Sequence, residues 1–90
     1  MDVSIIIPVY NCEQHIQCAL DSALQQKFKG ELEVIVVNDG SVDNSGSICK
    51  EYLAEFYDQL TYLEYEENRG VSAARNTAMD LMKGEYFTFL

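Results

Sequence analysis

Basic residues are scarce in this sequence: six lysines and arginines stand against fifteen aspartates and glutamates, and the formal net charge is −9. Binding to nucleic acid depends on a basic surface that faces the phosphates, so this charge balance argues against a nucleic acid partner. A polyphosphate ligand would likewise need a metal ion or a local group of hydrogen-bond donors to offset the negative charge of the chain.

Cysteines, long apolar runs and nucleotide fingerprints are scarce or missing as well. The three cysteines contain no Cys-x-x-Cys pair, which indicates neither a disulfide framework nor a zinc site and favours a reducing, cytoplasmic compartment. No segment approaches the roughly 20 apolar residues of a membrane span, and "VSIIIPV" lacks the basic lead of a signal peptide. Neither Gly-x-Gly-x-x-Gly nor the P-loop motif occurs.

Apolar residues are plentiful, since 48% of the 90 residues are hydrophobic, and they predict one small domain over residues 1–90. Continuous β-branched or aromatic runs, typical of strands, alternate with segments of helical periodicity. We expect strands at "VSIIIPVY", "LEVIVV", "LTYLEY" and "YFTFL", and helices at "NCEQHIQCALDSALQQ", from Asp43 onward and at "VSAARNTAMDLMK". This order predicts an α/β fold: a Rossmann-like parallel sheet with helices on both faces and strand order 3-2-1-4.

The ends of the helices carry local signals. Asn11 is expected to cap the first helix, with Gln14 as its capping-box partner, and Asp43 is expected to cap the second. Gly30 and Gly84 are expected to end the first and third helices. The buried face of the third helix is expected to comprise Val71, Ala74, Ala78 and Leu81.

In this topology the first strand lies at the switch point, where a ligand crevice opens at the carboxyl ends of the strands. Three polar stretches stand at those ends: "PVYN" after strand 1, "NDGS" after strand 2 and "ENRGVSAARN" after strand 3. Pro8 has no N–H, so we expect the last rung of strand 1 to be given up there and the chain to splay toward a ligand.

Several residues at the crevice have two interpretations. Asp39 is either an Asx-turn acceptor before Gly40 or a carboxylate that accepts hydrogen bonds from a ligand. Tyr10 either covers the end of the core or offers its ring to a base or ribose. Arg75 either pairs with Asp39 or Asp43, or binds an anion together with the backbone N–H groups that begin the third helix. One carboxylate, one aromatic ring and one or two arginines suit a nucleotide.

Four motifs in order, "SIIIPVYN", "EVIVVNDGSVDNS", "NRGVSAARN" and "GEYFTFL", resemble the N-terminal nucleotide-binding half of family 2 glycosyltransferases with the GT-A fold. The resemblance covers essentially the whole chain. It implies that Pro8, Val9 and Tyr10 match the segment that packs on the base and ribose, and that Asp39 matches the acid that hydrogen-bonds the uracil ring. The loop and helix start near the base and diphosphate match Asn68, Arg69, Gly70, Ser72 and Arg75. Asn38 departs from the acid that is commoner in the family.

The resemblance also implies an activity. Members of the family bind a nucleotide-diphosphate sugar, usually a UDP-sugar, and transfer the sugar to a glycan or lipid-linked acceptor, mostly with inversion, for cell-surface polysaccharide or glycan synthesis. Mn²⁺ or Mg²⁺ is held by an Asp-x-Asp motif that follows the fourth strand, and this sequence stops at Leu90, before that motif. We therefore expect no catalytic or metal-binding residue within these 90 residues, no activity from the chain alone, and self-association through the fourth strand.

The alternative is a non-catalytic α/β binding module, such as a receiver-like signalling domain. Receiver domains share the alternating topology, but they carry a pair of acids after the first strand and a lysine after a fifth strand. Here the first strand ends in "PVYN" and no fifth strand is present in the sequence. The strand-end residues therefore favour the glycosyltransferase interpretation.

Overall fold

A computed structural model describes residues 3–24, 31–84 and 86–89 of the chain. The elements are β1 (Val3–Val9), α1 (Ile16–Leu24), β2 (Leu32–Asp39), α2 (Ser45–Glu55), β3 (Leu60–Tyr65), α3 (Val71–Leu81) and β4 (Tyr86–Phe89). The strands form one sheet in the order β3-β2-β1-β4, and every neighbouring pair is parallel. The predicted fold class and strand order are therefore confirmed.

The sheet is covered by helices on both faces, because the side chains of β1 and β2 alternate between two apolar layers. One layer contains Ile5, Ile7 and Val9 and packs against α1 and α2. The other contains Ile6 and Ile35 and packs against α3. As the predicted strand order requires, β3 lies at an edge of the sheet, and it is only partly buried.

Helix α3 presents a narrower buried face than its periodicity predicts. Ala74 and Ala78 are fully buried against the sheet, and their small side chains allow the helix to approach it closely. Val71 and Leu81, which were expected on the same face, are exposed. The prediction was wrong for these two residues because they stand at the two ends of the helix, beyond the part that the sheet covers.

The predicted helix caps need correction. Helix α1 begins at Ile16, so Asn11 and Gln14 both precede it, and the Asn11 side chain bonds to another loop instead of capping α1. Helix α2 begins at Ser45 with Asn44 as its N-cap residue, although the Asp43 carboxylate does accept a hydrogen bond from the Ser45 N–H in the first turn. Gly30 lies outside the described residues.

Gly84 lies beyond α3, whose C-cap residue is Met82. It serves a close approach, because an added Cβ would lie 2.6 Å from Ser4 Oγ. Next to it, the buried Glu33 carboxylate accepts hydrogen bonds from Ser4 Oγ (2.6 Å), Lys83 N (2.6 Å) and Gly84 N (3.1 Å). This network satisfies a buried charge and fixes the start of β4 at the end of the sheet opposite the crevice.

Candidate functional site

The three segments that follow β1, β2 and β3 meet at the carboxyl ends of the strands and enclose a cavity of about 160 Å³. Its walls are mostly apolar, with a carboxylate and an amide on one side. The lining residues are Pro8, Val9, Tyr10, Asp39, Asn68, Val71 and Ala74. Pockets that enclose a whole small-molecule ligand usually measure about 300–1,000 Å³, so this cavity suits one part of a larger ligand, such as a base.

Asp39 is the buried charge of the site, with 3% of its surface exposed. Its Oδ1 accepts a hydrogen bond from Arg69 N (2.7 Å), and its Oδ2 accepts from Gly70 N (2.9 Å) and Asn68 Nδ2 (3.0 Å). A carboxylate has about four acceptor positions, so these three donors leave one position on Oδ1. Asp39 thus holds the loop 68–70 in place and retains capacity for one further donor.

The turn after β2 uses Asn38, and not Asp39, as its Asx acceptor. Asn38 Oδ1 accepts a hydrogen bond from Ser41 N (3.1 Å). Gly40 has a φ of +71°, and an added Cβ there would lie 2.6 Å from both Asn68 N and the Glu67 carbonyl carbon. Glycine is therefore required for two reasons: it adopts the left-handed conformation readily, and its missing side chain lets the two loops touch.

Asn38 itself is buried and forms a polar chain behind the turn. Its Nδ2 donates to the Tyr62 hydroxyl (2.9 Å), and that hydroxyl donates to Glu64 Oε1 (2.7 Å). Burial, followed by the neighbouring Glu64, raises the pKa of Tyr62 above its ordinary value of 10.0. The Tyr62 hydroxyl donates its hydrogen bond to Glu64, so a side chain at position 38 that bonds to this hydroxyl must be the donor. An amide can donate and an ionised acid cannot, which explains how Asn38 fits where an acid is commoner.

Tyr10 stands at the rim of the cavity with 53% of its surface exposed. This exposure favours the interpretation in which the ring is available to a ligand over the one in which it covers the core. The pairing of β1 continues past Pro8, since Pro8 lies opposite Val37 and Val9 lies opposite Asn38. The expectation that strand pairing stops at Pro8 is therefore wrong: this proline contributes an apolar wall to the cavity while the strand continues.

The predicted arginines do not line the cavity. The Arg69 guanidinium lies 4.6 Å from the centroid of the Tyr65 ring, beside a separate cleft of about 460 Å³ formed by residues 64–69. The Arg75 guanidinium lies 4.8 Å from the centroid of the Phe89 ring, and neither Asp39 nor Asp43 forms an ion pair with it in the described structure. Both arginines make cation–π contacts, whereas only acids or an anion were expected from the sequence as partners of Arg75.

The turn before α3 directs its backbone donors toward the protein itself. The N–H groups of Arg69 and Gly70 both donate to Asp39, so they are not available to a ligand anion, whereas the expectation for the N–H groups that begin α3 stays a prediction. Gly70 is needed for its conformation, with φ +97° and ψ 156°, which is accessible almost only to glycine. Ser72 is exposed and lies outside the cavity lining. Of the predicted residues, the structure thus brings Pro8, Val9, Tyr10, Asp39 and Asn68 together at the cavity.

Val71 and Ala74 line the cavity but were not predicted as site residues. The helical spacing of three residues between them places both on one face at the start of α3. The sequence already showed that spacing, but Val71 and Ala74 were predicted only as residues of the buried face of the helix. Their apolar side chains add to the apolar lining that Pro8 and Val9 supply.

No group of three or more His, Cys, Asp or Glu side chains that could hold a metal ion occurs within residues 3–24, 31–84 and 86–89. In the same residues, no helix is both long enough and apolar enough to cross a membrane.

Comparison with known proteins agrees with the fold. One curated relative is the Streptococcus pneumoniae glycosyltransferase GlyA, which is 48% identical over 88 residues, covering 98% of this chain and 12% of GlyA. Another is the Bacillus subtilis minor teichoic acid biosynthesis protein GgaB, which is 39% identical over 90 residues, covering 99% of this chain and 10% of GgaB. A structure of S. aureus TarS 1–349 in complex with UDP matches with a TM-score of 0.83 and 34% identity, over 100% of this chain and 27% of that one.

A second solved structure, the mannosyltransferase PcManGT from Pyrobaculum calidifontis in complex with GDP-Man and Mn²⁺, matches with a TM-score of 0.82 and 35% identity, over 92% of this chain and 25% of that one. The chain thus spans about a quarter or less of the length of these proteins. The family model for glycosyl transferase family 2 matches residues 4–90, nearly the whole sequence. The chain therefore belongs to glycosyl transferase family 2.

Proposed function

We propose that this chain is the donor-binding portion of a glycosyltransferase and that its cavity holds the uracil ring of a UDP-sugar. One observation carries the proposal: the buried Asp39 carboxylate keeps a single acceptor position free at an apolar cavity with an exposed tyrosine on its rim. The TarS structure with UDP supports it, because that protein shares this fold at 34% identity.

The free position on Asp39 selects the base by its hydrogen-bonding pattern. Uracil presents an N–H at ring position N3, which can donate to the carboxylate. Cytosine presents an unprotonated nitrogen there, so its lone pair would face the carboxylate oxygen. The ring faces would pack against Pro8 and Val9 on one side and Tyr10 on the other, a set of flat or apolar surfaces that suits an aromatic base.

The remainder of the donor lies outside the cavity, whose volume is too small for a whole nucleotide sugar. We assign Ser72 and Arg75, on the first turns of α3, to the side of the site that faces the diphosphate, and Asn68, Arg69 and Gly70 to the loop that orders Asp39. One observation supports this assignment: the Arg75 guanidinium lies over Phe89, the last residue of β4, and β4 runs parallel to β1 toward the crevice.

The chemistry of transfer belongs to the longer protein. In the proposal, residues outside this chain would hold Mn²⁺ or Mg²⁺, and the ion would supply positive charge to the diphosphate leaving group, because two phosphate charges approach a domain of net charge −9. The longer enzyme inverts the sugar centre, uses a glycan or lipid-linked acceptor in cell-surface polysaccharide synthesis, and works in the cytoplasm or at the inner face of the membrane. These 90 residues alone are inactive.

The experiment that tests the proposal is an NMR titration of the chain with uridine and, in parallel, with cytidine. Nucleosides are used because they lack phosphates, so binding reports the base cavity without a metal ion. Uridine is expected to shift the amide signals of Asp39 and Asn68. One hydrogen bond to a charged acceptor contributes about 1.5–3 kcal/mol, so cytidine is expected to bind at least about tenfold more weakly.

A pair of tyrosine variants provides the control. Tyr10→Ala is expected to weaken uridine binding, whereas Tyr57→Ala is expected to leave it unchanged, since Tyr57 is 78% exposed and follows α2, outside the cavity lining. Equal affinity for the two nucleosides would contradict the role of Asp39. A failure of uridine to bind would contradict the base cavity altogether.

A further inference from the structure

The loop after β1 (residues 10–15) and the loop after β2 (residues 40–45) are joined by an unusually dense set of contacts. Five hydrogen bonds connect residues 30 or more positions apart in the sequence. They run from Asn11 N to Ser41 Oγ (2.9 Å), from Val42 N to Asn11 Oδ1 (2.9 Å), from Cys12 N to Ser45 Oγ (3.0 Å), from Glu13 N to Asp43 Oδ2 (3.1 Å) and from Asn44 N to Glu13 Oε2 (3.3 Å).

Asn11 directly follows the cavity residue Tyr10, and it both donates and accepts a hydrogen bond. Its backbone N–H donates to Ser41, and its side-chain oxygen accepts from the Val42 N–H. Ser41 is in turn fixed by Asn38, a buried residue with 2% of its surface exposed. A continuous path of hydrogen bonds therefore connects the buried end of β2 with the loop that follows Tyr10.

The backbone of Asn11 is also exceptional. Its φ of +47° is the only positive value among the described residues other than glycine. Asparagine tolerates this left-handed conformation better than most residues because its short side chain can bond locally. Here the side chain bonds to the neighbouring loop. The chain bends at Tyr10 and Asn11, so this conformation lies directly beside the tyrosine.

We propose that Asn11 is a positioning residue for the nucleotide base, acting through Tyr10. Val9 is anchored in the sheet on one side of the tyrosine, and Asn11 is anchored to the second loop on the other side. Tyr10 is about half exposed, so core packing alone does not hold its ring over the cavity. The two anchors fix the backbone on both sides of Tyr10 and thereby order the ring before the ligand arrives. This inference rests on the proposed function.

The test uses the uridine titration on the chain with two substitutions at position 11. Asn11→Gly keeps the left-handed backbone without strain but removes the side-chain acceptor. A net contribution of about one ordinary hydrogen bond corresponds to an about fivefold weaker affinity for uridine. Asn11→Asp keeps both an acceptor oxygen and tolerance of positive φ, so it is expected to bind within about twofold of the unsubstituted chain. Uridine carries no charge, so the added carboxylate has little direct effect on the probe.

A double-mutant cycle distinguishes positioning from a merely structural role. In the Tyr10→Ala background, Asn11→Gly is expected to cause no further loss of affinity, because its effect passes through the tyrosine. Ser41→Ala, which removes the acceptor of the Asn11 N–H, provides a second variant should Asn11→Gly fail to fold, and it is expected to weaken uridine binding in the same way. The amide signals of β1 and β2 report folding in each variant.

The outcomes separate the two proposals. If uridine binds and is preferred to cytidine, but Asn11→Gly and Ser41→Ala bind it as well as the unsubstituted chain, the positioning role is refuted and the proposed function stands. If Asn11→Gly weakens binding equally with and without Tyr10, Asn11 does not act through the tyrosine and the inference also fails. If uridine does not bind at all, both proposals fail.

Discussion

Replacing Asp39 by asparagine is expected to destabilise the fold as well as the binding site. The carboxylate accepts three hydrogen bonds, from Arg69 N, Gly70 N and Asn68 Nδ2, and it is almost completely buried. An asparagine has one oxygen and one NH₂ group in the same space. Whichever way the amide is turned, its NH₂ group must face at least one N–H donor.

The geometry sets the size of the effect. The better orientation keeps the oxygen toward Gly70 N and Asn68 Nδ2 and leaves the Arg69 N–H without an acceptor. A buried donor without an acceptor costs about 1–3 kcal/mol, and the part-buried bond of Arg69 places its N–H in the lower part of that range; each remaining bond weakens by about 1 kcal/mol when its acceptor loses its charge. The expected loss is about 3–4 kcal/mol. A domain of 90 residues has a free energy of unfolding of roughly 5–13 kcal/mol, so this loss is a large fraction of the total.

Urea unfolding followed by far-ultraviolet circular dichroism measures this loss, provided that the m-value is unchanged. Asp43→Asn is the matched control, because Asp43 also accepts backbone hydrogen bonds on both oxygens. Here the amide oxygen can stay on the N–H of the buried Ser45, and the N–H that is released belongs to the exposed Glu13, where water can solvate it. A loss below about 1 kcal/mol for Asp39→Asn, or one no larger than that of the control, would refute the view that Asp39 organises the loop 68–70.

Two further predictions concern the acid dependence of stability and the free edge of the sheet. Hydrogen bonding from Ser45, opposed in part by desolvation, lowers the pKa of Asp43 below its ordinary value of 3.8. The stability that Asp43 contributes is therefore present above the unfolded-state pKa and is lost as the pH falls through the folded-state pKa. The difference in free energy of unfolding between the unsubstituted chain and Asp43→Asn should narrow below about pH 4. A difference that does not depend on pH would contradict this prediction. At the edge of the sheet, β4 exposes 41% of Phe87 and 36% of Phe89, and we expect the chain to self-associate through this strand. Phe87→Lys is expected to reduce the mass measured by sedimentation. A monomeric mass for the unsubstituted chain at high concentration would count against self-association.

The fold was predictable from the sequence because its signals are local and redundant. "IIIPV" and "VIVV" are apolar at successive positions, as is typical of a strand that is covered on both faces, and the intervening helix shows one apolar face. Because the strands are parallel and their crossover connections are right-handed, only a few topologies are then possible for these elements. The position of the cavity followed as well, because the carboxyl ends of the strands around the switch point are determined by that topology.

The partners of the charged groups were not predictable in the same way. The carboxylate of Asp39 meets donors about 30 residues away, and which donors it meets depends on the close approach that Gly40 permits between two loops. The aromatic contacts of Arg69 and Arg75 could not be predicted from the sequence, because an acid is the commoner partner of an arginine and several acids are near in sequence. Residue type thus indicated the candidate site residues, while the path of the backbone determined which atoms their side chains contact.

Asn11 shows why a local motif was misassigned. An asparagine before a helical segment can accept a hydrogen bond from its own helix or from the loop of a neighbouring strand, and both arrangements use the same side-chain oxygen. The sequence near Asn11 does not distinguish them, but the topology does: β1 and β2 are adjacent and parallel, so the segments that follow them emerge side by side. Short polar side chains directly after two adjacent parallel strands therefore have two possible partners. In this chain, the contact between the loops is the one that forms, and it places the strained backbone of Asn11 next to the cavity.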